Sequence, residues 1–144
     1  MNTERVKNLT RLAVTLACVM CVGQAVAAPI LIANNSVAES ALSAGDVQKI
    51  FLGKTANWGD GSRVMLSMLK DGPVSDEFLK TWVKKSQKQF GTFWKKAVFS
   101  GTGEMPAAFD SEAELVKFVA GTPGAVGYVD EATPHADVKV ITID

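Results

Sequence analysis

The chain has 144 residues, with 15 basic and 15 acidic side chains, one His, two Cys and 47% apolar content. That length fits one domain, and the apolar fraction with balanced charge excludes a disordered chain. Zero net charge argues against a nucleic-acid-binding protein, which needs a basic face, and no internal repeat points to a solenoid.

Residues 1–11 carry Arg5, Lys7 and Arg11 against Glu4, and Leu12 to Gly23 then run without a charge. Gln24 and Ala25-Val26-Ala27 follow, a small-x-small exit. This pattern reads as a cleaved secretory signal peptide over residues 1–27 and predicts a periplasmic protein. A retained membrane anchor is the rival reading, since no charge stands between Arg11 and Glu39. Gln24 and Pro29 interrupt the roughly 20 apolar residues that a span requires. Cys18 and Cys21 both lie in this leader, so residues 28–144 offer no disulfide, thiolate nucleophile or thiolate metal site. Those residues carry 12 basic and 14 acidic groups, a mild balance.

Ile30–Ala33 is a short apolar run between Pro29 and Asn34-Asn35 and predicts a buried strand. Ser43 stands three residues before Asp46, and Val47, Ile50 and Phe51 follow at helical spacing up to Gly53. A polar, Gly-rich loop over 54–62 holds Trp58, and Val64–Leu69 is a second strand. Ser75 is expected to cap the next helix, with Asp76 and Glu77 in its first turn. Ser86 with Gln89 is a capping box for a further helical stripe to Phe99, in which Gly91 is expected to break or kink the chain.

Residues 100–110 read as loop, and Ser111-x-x-Glu114 caps a helix with Leu115, Val116, Phe118 and Val119 inward. Gly121–Gly124 is a turn, Ala125–Val129 a strand, and the alternating Val138–Ile143 an edge strand. Strands separated by helices imply an α/β fold, a three-layer sandwich around a small central sheet, with no linker dividing it.

Enzyme templates fare poorly. His135, the only imidazole, falls in a loop, and no nucleophile–base pair, metal-ligand cluster or cofactor motif accompanies it. Asp110, Glu112 and Glu114 are explained by the helix dipole. The Gly101-Thr102-Gly103 fragment lacks the following Lys-Ser/Thr of a phosphate loop. Lys70-Asp71-Gly72-Pro73-Val74-Ser75 is more informative, because it joins a strand's carboxyl end to a helix start, where free N–H groups can hold an anion. A plain turn before an ordinary capped helix explains the same residues.

Two stretches carry a resemblance. Asp46–Lys54 followed by Asn57-Trp58-Gly59-Asp60-Gly61 resembles the "IF-x-G-K-x-x-x-W-x-D-G" segment of phosphate-binding subunits of ABC transporters, and Thr122–Val129 is similar to their "TPGAIGYV" turn and strand. Phe99–Gly103 and the Ser111–Ala120 helix resemble a short, single-domain branch of that family. The chain is thus identified as a phosphate-binding-protein-like domain of the type II periplasmic binding protein superfamily, over nearly all of 30–144.

The resemblance implies a mixed sheet and one lobe of a two-lobed receptor. It also implies an oxyanion loop of the form Arg-Ser-Asp-Gly-Ser-Gly-Thr. On that loop Asp71-Gly72 match, Ser75 stands for the Thr, Leu69 falls at the Arg, and Lys70 is a displaced cation. The binding residues so implied are Lys70, Asp71, Gly72 and Ser75, joined by Ser100 and Thr102 if their loop shares the rim. Without the bidentate Arg fork, phosphate binding is expected to be weak or lost.

Two functions follow as expectations. One is capture of phosphate or a related oxyanion, alone or as a homodimer that rebuilds a cleft, for an ABC transporter permease. The other is a ligand-free accessory module that meets a transporter, porin or sensor in the envelope.

Overall fold

A computed structural model describes residues 28–144. The expected leader and both cysteines lie outside the described residues. Six strands form one sheet: β1 (Pro29–Ala33), β2 (Ala41–Leu42), β3 (Met65–Leu69), β4 (Ala107–Phe109), β5 (Ala125–Asp130) and β6 (Lys139–Ile143). Their spatial order is β2-β6-β1-β5-β3-β4. β1 runs antiparallel to β5 and β6, whereas β3 is parallel to both β5 and β4, so the sheet is mixed.

The helices are α1 (Ala44–Phe51), α2 (Pro73–Phe78), α3 (Gln87–Phe99) and α4 (Glu112–Gly121), with a π-helical segment Leu79–Val83 continuing α2. Alternation along β5 sends neighbouring side chains to opposite faces. Tyr128 stacks on Phe78 of α2 and tilts against Phe51 of α1. A Cβ on the adjacent Gly127 would lie 2.7 Å from Leu115 Cδ2 of α4 and 2.5 Å from Ser67 Oγ, so only glycine permits this close approach. Helices therefore cover both faces of the sheet, the expected three-layer α/β sandwich. Every β5 residue from Ala125 to Val129 is buried, as a doubly covered strand requires.

The two stretches that carry the resemblance meet in space. Trp58 Nε1 donates to the Gly124 carbonyl at 2.9 Å, pinning the Gly-rich loop to the turn that enters β5.

Four local expectations are corrected. Ser75 does not cap α2: the helix begins at Pro73 after Gly72, whose φ of 107° is open to glycine, and Ser75 lies inside the first turn. Gly91 does not break α3, which runs unbroken from Gln87 to Phe99; the interruption falls at Lys84, in the left-handed region, just before the Ser86 cap. β6 is not an edge strand, because β2 pairs along its outer side, and β4 was not expected within 100–110.

Candidate functional site

The candidate loop 70–75 leaves the carboxyl end of β3. Lys70 and Asp71 are exposed and Gly72 is half-buried, while Val74 and Ser75 are buried, Ser75 with no exposed surface. Ser75 Oγ donates to Gln87 Oε1 at 2.5 Å and lies 2.7 Å from the Tyr128 hydroxyl, which itself accepts the Leu69 N–H at 3.2 Å. With Ser75 donating to Gln87, Tyr128 is the donor to Ser75. Gln87 Nε2 then donates to the Lys70 carbonyl at 2.9 Å.

The result is a closed relay from Leu69 through Tyr128, Ser75 and Gln87 back to Lys70. Burial pushes the Tyr128 phenol above its ordinary value, against the opposing effect of its bonds with Ser75 and Leu69. The phenol is therefore a neutral linker. Sequence reasoning missed Tyr128 and Gln87, whose partners lie up to 59 residues away.

Charge around this edge opposes an anion. β3, β4 and β5 are parallel, so their carboxyl ends share one rim of the sheet. The segments that follow them, 70–77, 110–114 and 130–131, hold eight acidic residues and one basic residue, Lys70. Lys70 Nζ meets Asp110 Oδ2 at 3.0 Å, both side chains more than half exposed. The Glu112 carboxylate, in the first turn of α4, accepts the Asp130 N–H. The Lys70 ammonium and the Asp130 N–H are thus engaged within the rim, while the first turn of α2 carries no side-chain cap.

Ser100 and Thr102 sit at the carboxyl end of α3. Thr102 N–H and Gly103 N–H both donate to the Ala97 carbonyl, at 2.9 and 3.2 Å, and the Ser100 and Thr102 hydroxyls reach the same oxygen. This is a helix C-cap, and a helix's carboxyl end carries partial negative charge, the wrong sign for an oxyanion. Thr102 lines a groove of about 710 Å³ with Met65, Phe93, Trp94, Met105 and Phe118, among others, and no residue of 70–75 contributes to it. Met65 opens β3, so this part of the groove stands about 16 Å of strand from Lys70. The six candidate residues form two groups.

Among the described residues no cluster of three or more His, Cys, Asp or Glu could hold a metal ion, and no helix is long and apolar enough to cross a membrane. His135 is half-buried, with Nδ1 2.6 Å from the Thr133 carbonyl.

A mixed sheet covered on both faces, with a strand-to-helix loop at its carboxyl rim, is an α/β architecture that many functions share. Solved structures narrow the fold. The chain matches a protein described as a phosphate ABC transporter substrate-binding protein with bound phosphate from Clostridium perfringens, at TM-score 0.66 and 17% identity over 82% of this chain and 45% of that one. It also matches an ABC-type phosphate transport receptor from Vibrio cholerae, at TM-score 0.55 and 13% identity over 81% and 46%. A phosphate-binding protein from Stenotrophomonas maltophilia matches at TM-score 0.60 and 17% identity over 82% and 39%.

The chain has the fold of phosphate ABC-transporter substrate-binding proteins, and it spans less than half the length of these structures, as one lobe would. Identities this low establish the fold alone. No protein-family model matches the sequence, and no curated protein matches it.

Proposed function

We propose that this protein is exported to the periplasm and works there as a single-lobe accessory module of the phosphate-transport solute-binding fold. Its oxyanion loop has become an internal joint. The protein meets a transporter permease or another envelope protein and captures no free phosphate. The observation that carries this reading is Ser75, which has no exposed surface and whose hydroxyl is engaged by Gln87 and Tyr128. The acidic rim adds to it, since a dianion there would face eight carboxylates with one lysine to offset them. We infer a binding role and no catalysis, because His135 bonds a backbone carbonyl and the buried Ser75 has no imidazole or carboxylate base among its hydrogen-bond partners.

The test is a thermal melt in phosphate against chloride of matched ionic strength. A ligand at about 100 times its Kd adds about 2.7 kcal/mol, which moves the Tm of a domain this size by about 10 °C. No shift is expected at about 0.1 M phosphate, a concentration that would saturate even a site of about millimolar Kd. A rise of several degrees overturns the proposal. Affinity capture from solubilised membranes should return the same membrane protein with the parent chain and with Lys70→Ala.

Oxyanion capture is the second reading, favoured by the likeness of fold to phosphate-binding receptors. Lys70, Asp71, Gly72 and Ser75 would line the loop, Ser100 and Thr102 would join it, and a second copy of the chain or a partner protein would supply the other half of the cleft. It requires Ser75 to leave Gln87 and Lys70 to leave Asp110. The phosphate melt separates the two readings directly.

A further inference from the structure

The balanced total charge conceals a segregated surface. Between Glu77 and Glu104 the chain has no acidic residue and six lysines, Lys80, Lys84, Lys85, Lys88, Lys95 and Lys96. That is half of the 12 basic residues in 28–144. The fold gathers this stretch into the π-helical segment, the Lys84 turn and α3. Five of the lysines are exposed, and Lys85 is half-buried with Nζ 5.8 Å from the Phe93 ring centre. The ion pairs among the described residues are Lys49–Asp46, Arg63–Glu104 and Lys70–Asp110, so none of the six is neutralised.

Helical period places Lys88, Thr92, Lys95 and Phe99 on one stripe of α3, turned away from the buried Phe90 and Trp94. Phe99, at the helix end, is 94% exposed, and the neighbouring Val98 and Met105 are 44% and 51% exposed. A phenylalanine in that state projects from the surface and touches almost nothing of its own protein.

We propose that this face of α3 docks on an anionic phospholipid bilayer. Phe99 enters the boundary between headgroups and acyl chains, and Lys88, Lys95 and Lys96 sit among lipid phosphates. Charge complementarity is the ground for the occupant: the lysines spread along about 12 Å of helix, which suits a laterally continuous negative surface. An acidic protein would need a recess shaped to the projecting Phe99, whereas lipid deforms around it. The surface is independent of the 70–75 loop, so this proposal stands or falls apart from the reading of that loop.

The experiment is vesicle co-sedimentation of the exported chain, its N-terminus established by mass spectrometry. One set of vesicles contains equal parts phosphatidylglycerol and phosphatidylcholine, the other phosphatidylcholine alone. Binding is expected on the anionic set only, and it should collapse as the screening length falls from about 10 Å at 0.1 M salt to about 3 Å at 1 M. Each lysine near an anionic surface is worth about a fivefold change in partitioning, so Lys88→Ala/Lys95→Ala/Lys96→Ala should weaken binding about a hundredfold. Phe99→Ser should weaken it about tenfold, the low end for burying a phenylalanine side chain.

All four side chains are exposed, and melts matching the parent will verify that the variants fold. Equal binding to neutral vesicles, full binding by the triple lysine variant, or no binding to anionic vesicles at low salt would each overturn the proposal. Retention on polyglutamate that is indifferent to Phe99→Ser, without vesicle binding, would overturn it in favour of an acidic protein partner.

Discussion

Replacing Tyr128 with Phe isolates the joint that ties down the 70–75 loop. The ring can stay where it is, stacked on Phe78 at 4.3 Å between centres and nearly parallel, so the packing contribution is retained. The hydroxyl alone is lost. Leu69, 4% exposed, then has an N–H without its acceptor, and Ser75 keeps only Gln87. A buried donor left unsatisfied costs about 1–3 kcal/mol, and the missing Ser75 bond about 0.5–1.5 more. We expect a total near 2–3 kcal/mol, read as a Tm lower by about 8–12 °C for a domain of this size.

Urea melts on Tyr128→Phe, Ser75→Ala and the double variant complete a cycle, and the two sites should couple by more than about 0.5 kcal/mol because they share a hydrogen bond. If Tyr128→Phe changes stability by less than that and the pair is additive, the relay is not a structural joint. A stable Ser75→Ala variant that loses stabilisation by phosphate would identify Ser75 as a ligand-binding residue.

The same phenol sets a pH dependence. Tyr128 is the chain's one tyrosine, and its folded pKa is raised. The unfolded chain releases that proton near pH 10 while the folded chain still holds it, so the contribution is complete below about pH 10 and is lost as pH rises through the folded value. Ultraviolet titration should show the native tyrosine ionising later than the denatured one, and the alkaline slope of Tm should be steeper in the parent than in Tyr128→Phe. Gly127→Ala drives a methyl group into Ser67 and Leu115 and should cost about 1–3 kcal/mol in urea melts. Lys70→Ala removes an exposed ion pair and should change stability by less than about 1 kcal/mol, with a difference that salt erases.

Helix starts that depend on local chemistry were legible in the sequence. Ser43, Ser86 and Ser111 each accept the N–H three residues on, because a cap is decided within one turn. Ser75 had the same local appearance and a different fate. Pro73 at the first helical position, preceded by Gly72, starts the helix earlier and turns the serine inward. Strand neighbours were harder to read. β2 has two residues and β4 three, too short for any periodic signal, and each exists through pairing with a distant strand. The even charge total hid the lysine face of α3 for a related reason, since a sum carries no information about placement. The Tyr128 hydroxyl was invisible because its role is fixed by partners 53 and 59 residues away.

A loop built to hold a tetrahedral anion must present donors that its own protein leaves unpaired, and here the side chains around the loop are engaged with one another, although the first turn of α2 has no side-chain cap. Gln87 ties the Ser75 hydroxyl to the Lys70 carbonyl, Tyr128 takes the Leu69 N–H, Glu112 takes the Asp130 N–H, and Asp110 takes the Lys70 ammonium. The one buried side-chain polar atom without a partner among the described residues is Glu39 Oε2, whose sister oxygen accepts the Gly59 N–H beside Trp58, on the side of the sheet where β5 begins. At the position where the resemblance expects an arginine, Leu69 is buried. With no fixed cation at position 69, little offsets the charge of an oxyanion, and the bridging glutamine gives the Ser75 hydroxyl an acceptor and the Lys70 carbonyl a donor. The two features make sense together: where no anion is held, a joint between this loop and α3 is the lower-energy use of the same backbone.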